Sequence, residues 1–119
     1  MTLITTDSYW PGAIVLAHSL RAHGWSHETV AMITRAVTPP VREVLARWWD
    51  RVVEVEPVAN PTGADEQWFN YFGDLFTKLR IWELVEYDRI VYLDSDTLVT
   101  GPLDEMLERP RFAAAPCTA

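Results

Sequence analysis

The residues best suited to chemistry are Asp94, Ser95 and Asp96, with Lys78 sixteen positions before them. Carboxylates are hard oxygen ligands, suited to Mn²⁺ or Mg²⁺. If the chain is extended there, residues i and i+2 point the same way, and Asp94 and Asp96 can face one cation. Such an ion, acting as a Lewis acid, would neutralise charge on a departing diphosphate. Lys78 is the chain's single lysine beside nine arginines. A compact ammonium at that position would supply a second positive charge. The plain alternative for two aspartates after a strand is a turn closed by side-chain hydrogen bonds.

Positioning these residues requires a scaffold, and the pattern supplies one. Met1 to Thr6 reads as a strand that ends in Thr5-Thr6-Asp7-Ser8. A helix follows, with Pro11 in its first turn, an apolar run from Ala13 to Leu20, and Gly24 at its end. Val30 to Ile33 reads as a second strand. Thr38 is placed to cap a second helix, with Pro39 first and Val41, Val44, Leu45 and Trp48 as its apolar stripe. Val52 to Val55 reads as a third strand.

A polar loop spans Pro57 to Tyr71, and a loop of that length in a compact domain is often functional. Asp74 is placed to cap a third helix with Leu75, Leu79, Trp82 and Val85 buried. Arg89 to Leu93 reads as a fourth strand, Leu103 to Leu107 as a short helix, and Phe112 to Ala115 as the start of another strand. Alternating strands and helices predict an α/β fold with a Rossmann-like, doubly wound, mostly parallel sheet. Ligands of such sheets bind beyond the carboxyl ends of the strands. Thr5-Thr6-Asp7, Asp94-Ser95-Asp96 and the start of the Lys78 helix all fall on that edge.

Composition narrows the partners. With 10 basic and 17 acidic side chains, the net charge of −7 disfavours nucleic acid and anionic membranes. A small anionic ligand needs only a local positive site. One cysteine, Cys117, allows no intrachain disulfide, and no apolar run has the length of a membrane span. The N-terminus lacks the pattern of a signal peptide. The expectation is a soluble cytoplasmic protein. A sheet that stops early would leave an open edge that invites a homodimer.

The stretch Thr77-Lys78-Leu79-Arg80-Ile81-Trp82, continuing through Ile90-Val91-Tyr92-Leu93-Asp94-Ser95-Asp96-Thr97-Leu98, resembles glycosyltransferase family 8, the glycogenin and galactinol synthase group. Leu3-Ile4-Thr5-Thr6-Asp7-Ser8-Tyr9, with Gly12-Ala13, resembles that family's first strand and helix start. Pro102 to Met106 resembles the short helix after its metal motif. The resemblance implies a GT-A fold and transfer of a hexosyl group from a UDP-sugar, with retention and usually with Mn²⁺. It implies that Asp94 and Asp96 handle the metal, that Ser95 lies beside the ribose, and that Lys78 contacts the donor. Leu3, Thr5, Thr6 and Tyr9 would line the uridine pocket, the Tyr9 ring on the base. The acceptor (sugar, polyol or protein) is left open.

The family commonly has asparagine where this chain has Thr6, and its upstream arginine has no match in Gln67-Trp68-Phe69-Asn70. Its third metal ligand is a later histidine, whereas His18, His23 and His27 come too early and read as surface residues. Residues 1–119 are therefore expected to be the N-terminal nucleotide-sugar-binding part of a glycosyltransferase domain, truncated after the Asp-X-Asp strand.

Two other readings stay open. Leu93 to Leu98 also matches the nucleophile motif of haloacid-dehalogenase-type phosphatases, in which the first aspartate attacks phosphorus. That class needs a later lysine and further acidic ligands, and only Asp104, Glu105 and Glu108 follow. The third reading is a non-catalytic nucleotide-binding module. Among lesser candidates, Trp48 is expected in the core and Trp68 and Phe69 near the ligand edge. Asp65, Glu66 and Glu83 are expected in water, and Cys117 as a bystander.

Overall fold

The computed structural model describes residues 1–59, 75–110 and 112–115, except for the side chain of Leu75. The expectations for Asp65, Glu66, Trp68, Phe69, Asp74 and Cys117 lie outside those residues. The first half follows the predicted alternation: β1 (Thr2–Ile4), α1 (Trp10–Ala22), β2 (Val30–Ile33), α2 (Pro39–Trp48) and β3 (Arg51–Glu54). The three strands form a parallel sheet in the order β1-β2-β3, with Ile4 opposite Ile33 and Ala31 opposite Val52.

Strand alternation divides the core. Ile4, Ala31, Ile33 and Val52 share one face and pack with Leu16, Leu20 and Leu45 of the helical layer and with Val37 of the loop before α2. Leu3 and Met32 project to the opposite face and are buried as well, so both faces of the sheet are covered. In α1, Ala13, Leu16, Ala17 and Leu20 recur at helical spacing and are buried. The helix stops at Gly24, whose φ of +80° is the left-handed cap conformation that favours glycine. Gly24 N–H donates to the Arg21 carbonyl and Trp25 N–H to that of Leu20, the two bonds of a Schellman cap.

Thr38 occupies the cap position of α2 as expected, but its hydroxyl does not cap the helix. The Thr38 N–H and hydroxyl both donate to the Asp7 carboxylate, at 2.8 and 2.7 Å. The stripe of α2 also differs from expectation at its end. Trp48 is only half-buried, whereas Trp49 is 2% exposed. Residue 49 has left the helix for extended backbone, φ −108° and ψ 138°, which turns its side chain to the core.

The second half is less regular than its pattern predicts. Leu75–Glu83 is a 3-10 helix rather than an α-helix. Its expected stripe is uncovered: Leu79 is exposed, Trp82 is 63% exposed and Val85, just beyond the helix, 87% exposed. Trp82 instead stacks on Phe112, centroids 6.2 Å apart. Thr77 of this helix is buried, and its hydroxyl accepts from Val58 N–H at 3.0 Å. The predicted fourth strand is not a regular strand. Residues 91–93 bracket the start of β1 through two bonds, Met1 N to the Val91 carbonyl (2.8 Å) and Leu93 N–H to the Met1 carbonyl (3.0 Å). That is the pairing of one parallel bridge between Met1 and Tyr92. The short helix expected at 103–107 is a 3-10 helix, Asp104–Glu108. Phe112 to Ala115 does not form a strand, and Phe112 has a φ of 60°.

The far end of the sheet is tied by Asp50, which accepts from Thr29 N–H at 2.8 Å and from the Thr29 hydroxyl at 2.6 Å. Hydrogen bonding from the Thr29 side chain, then from its backbone, holds the Asp50 carboxyl below its ordinary range. A depressed carboxyl stabilises the fold above its unfolded value, and this contribution is lost as pH falls through the folded one. Replacing Asp50→Asn is expected to cost about 1 kcal/mol at pH 7, the low end for a charged hydrogen bond because the carboxylate is exposed. The wild-type advantage in urea unfolding should shrink progressively as the pH falls below 3.8. An advantage unchanged at low pH would show that the charge has no part in it.

Candidate functional site

Residues 91–93, bridged to Met1 on the outer side of β1, extend the sheet in the spatial order 91–93, β1, β2, β3. The strand order reverses between β1 and that segment, the place where open α/β sheets form a ligand crevice. The chain leaves β1 there through Thr5 and Thr6, and leaves the neighbouring segment through Asp94-Ser95-Asp96.

The edge is braced on the β1 side. The Thr34 hydroxyl donates to the Thr5 carbonyl at 2.6 Å, and Thr34 N–H to the Ile4 carbonyl at 3.3 Å. The Thr6 and Ser8 hydroxyls are 2.7 Å apart, and Asp7 holds Thr38. Thr5 and Thr6 are half-buried and Tyr9 is exposed. Leu3 lies within β1 and is buried, so it can contribute only from beneath such a pocket.

On the other side the motif leans on α1. Gly12 is so close to Ser95 that a Cβ built on it would lie 2.6 Å from the Ser95 carbonyl oxygen. Seven residues on, the buried Ser19 hydroxyl donates to the Leu16 carbonyl (2.9 Å) and accepts from Val99 N–H (3.1 Å). Val99 enters the core beside α1. One helix thus supports the motif at Ser95 and again at Val99.

The motif itself is a turn, closed by Thr97 N–H donating to the Asp94 carbonyl at 3.0 Å. The extended geometry expected to align Asp94 with Asp96 is therefore not observed, because the chain turns as it clears the sheet. Ser95 is buried, and the two aspartates stand exposed on either side of it. The Tyr92 phenol senses both. Burial pushes its pKa upward, and the charge and hydrogen bonding of Asp94, then the charge of Asp96, push it further.

Lys78 joins this group. Its ammonium lies 3.4 Å from Asp94 Oδ1 and 5.4 Å from the centroid of the Tyr92 ring. The structure therefore brings together Lys78, Asp94 and Ser95, with Tyr92 as a member that motif reading overlooked. Its signal was available: in a strand, Tyr92 shares a face with Asp94. His18, His23 and His27 are exposed, and His27 faces Asp104 at 3.7 Å. Glu83 is exposed and paired with Arg80.

Among the described residues, no group of three or more His, Cys, Asp or Glu side chains could hold a metal. Asp94 and Asp96 suit a different arrangement, in which one or two carboxylates bind a hard cation and substrate phosphates and water complete its shell.

Comparison with known proteins gives the family. The family described as Glycosyl transferase family 8 matches residues 1–111. Glycogenin-1 of Caenorhabditis elegans is 42% identical over 118 residues, covering 97% of this chain and 27% of that protein. Glycogenin-1 of Homo sapiens is 34% identical, covering 98% and 34%. Galactinol synthase 6 of Arabidopsis thaliana is 34% identical over 109 residues, covering 92% and 32%. The chain thus spans about a quarter to a third of the length of the curated relatives it matches.

The Gly12–Ser95 contact yields a direct test. Gly12→Ala places a methyl group against backbone that cannot rotate away, and overpacking of that kind costs about 1–3 kcal/mol. Chemical denaturation should show that loss. A variant as stable as the wild type would mean that the Ser95 turn yields freely.

Proposed function

The chain belongs to glycosyl transferase family 8, and from that premise we propose that it forms the donor-binding part of a metal-dependent, retaining hexosyltransferase that uses UDP-glucose or UDP-galactose. The observation that carries this reading is the meeting of Lys78 with Asp94 at the point where the strand order reverses. The single lysine of an acidic chain, set beside a carboxylate of the Asp-X-Asp turn, supports a phosphate-binding role for it.

In this reading Asp94 and Asp96 hold Mn²⁺ or Mg²⁺, which supplies Lewis-acid stabilisation of the departing diphosphate when bound. Lys78 adds a point charge to the same phosphates. Ser95, buried in the turn, presents its backbone beside the ribose. Thr5, Thr6 and Tyr9 receive the uridine, with Leu3 beneath them. The exposed Tyr9 ring offers a flat apolar face to the base. The Thr34 and Asp7 bonds reduce the mobility of this edge before the ligand arrives, which lowers the ordering cost of binding. The acceptor, a sugar, polyol or protein, meets the donor through parts of the whole protein. We extend the proposal to a cytoplasmic location and to pairing of two copies through an open sheet edge.

The family membership replaces the phosphatase reading, since the match includes the very residues, Leu93 to Leu98, that suggested it. A donor-binding module without turnover is the second reading. Binding of UDP without hydrolysis or transfer would establish it.

Ligands that bind only the folded state stabilise it, by about 2.7 kcal/mol at a hundred times their Kd. UDP should therefore raise the melting temperature in Mn²⁺ or Mg²⁺ and not in a chelator, and Asp96→Ala should abolish the rise. An Asp96→Ala protein that keeps the full rise would remove Asp96 from the metal site. Lys78→Arg should weaken UDP binding several-fold, because a planar fork replaces a compact charge. Equal affinity would show that any cation serves.

A further inference from the structure

Lys78 has two neighbours of different kinds. Asp94 Oδ1, 3.4 Å from the ammonium, is a carboxylate that a divalent cation would claim. The Tyr92 ring, with its centroid 5.4 Å away, is a neutral π face. A hard cation selects oxygen ligands and leaves such a face alone. When the cation takes Asp94, the ion pair opens, and the ring is the contact that remains to the ammonium.

That remaining contact matters because a lysine side chain is long and flexible. Freed from Asp94, it regains rotamer entropy that must be surrendered again on meeting a phosphate. A ring that attracts the ammonium through its quadrupole limits this freedom without drawing the positive charge away. Tyr92 is placed for the task. Its ring is half-buried, which limits its own motion beside the ammonium. Its partner in register, Met1, ties the backbone of residues 91–93 to β1.

Resting on the donor-site reading above, we propose that Tyr92 is a positioning residue of that site: its ring seats the Lys78 ammonium and keeps it aimed at the diphosphate after a metal ion has taken Asp94. The ring is the working part. Phenylalanine therefore replaces tyrosine without loss, whereas an aliphatic side chain of similar bulk does not.

Because Lys78 is the only lysine, its side-chain signals can be followed by NMR in the wild-type chain without ambiguity. They should carry an upfield ring-current shift that persists when Mg²⁺ is added to saturation. Loss of that shift on Mg²⁺ binding would overturn the proposal. Titration calorimetry supplies the second arm, with UDP alone, Mg²⁺ alone and UDP with Mg²⁺. Tyr92→Leu should weaken UDP roughly two- to five-fold, the range of an exposed cation–π contact, and leave Mg²⁺ alone within about twofold, since no seat is claimed for the metal. Tyr92→Phe should match the wild type, and in a Lys78→Met background Tyr92→Leu should have no further effect. Equal losses in the Phe and Leu variants, or a loss that persists without Lys78, would assign a structural role instead. A wild-type chain that binds neither UDP nor Mg²⁺ would overturn the donor-site reading, and this proposal with it. Binding intact with the ring-current shift lost would overturn this proposal alone.

Discussion

The approach of Gly12 to the Ser95 carbonyl is the constraint from which the site is built. It requires a residue without a side chain in the first turns of α1, and it sets how near the helix stands to the turn carrying the two aspartates. The buried Ser19 hydroxyl repeats the connection further along, at Val99. Since α1 also packs on β1 and β2 through Leu16, Ala17 and Leu20, the turn inherits its position from the core. A turn attached only to a sheet edge would move with every fluctuation of that edge. Here a helix whose inner face lies in the core backs it.

Electrostatics complement this support. The chain as a whole is acidic, yet the crevice holds its single lysine, Lys78, beside Asp94. In the absence of ligand the ammonium and Asp94 neutralise one another, so neither charge is left in the crevice without a partner. A bare pair of carboxylates beside a half-buried tyrosine would repel each other and the phenolate form of the ring. The pair is exposed enough to open, since a surface ion pair contributes little to stability. That lets Lys78 and Asp94 exchange each other for ligand partners at small cost.

The legible parts of the sequence were those where local pattern and burial coincide. Val30–Ile33 was read with its boundaries intact, because a buried four-residue apolar run between polar flanks allows little else. The end of α1 was equally plain, since Gly24 takes a conformation that other residues resist. Periodicity failed where it had to stand in for tertiary contact. Leu79, Trp82 and Val85 share helical spacing, but spacing says which residues lie together, not that anything covers them. Trp48 was expected in the core, but the helix ends after it and the extended backbone at Trp49 turns that residue inward instead. The aspartates were found by motif, but their geometry was misjudged, because the extended chain becomes a turn as it leaves the sheet. Tyr92 and Gly12 were not recognised as site residues, as their parts depend on contacts across the fold.

The two anchor points on α1 also divide that helix by how freely it can change. Val15, His18 and Arg21 face outward and exposed, and at those positions most side chains should be interchangeable. Gly12 and Ser19 lie against the segment that carries the aspartates, one admitting no side chain and the other requiring a small hydroxyl. A saturation library of α1 would therefore show a tolerance pattern that helical packing alone does not explain. Its two most restrictive positions would be neither large nor apolar, and the cause would lie some eighty residues away, in the turn that they hold.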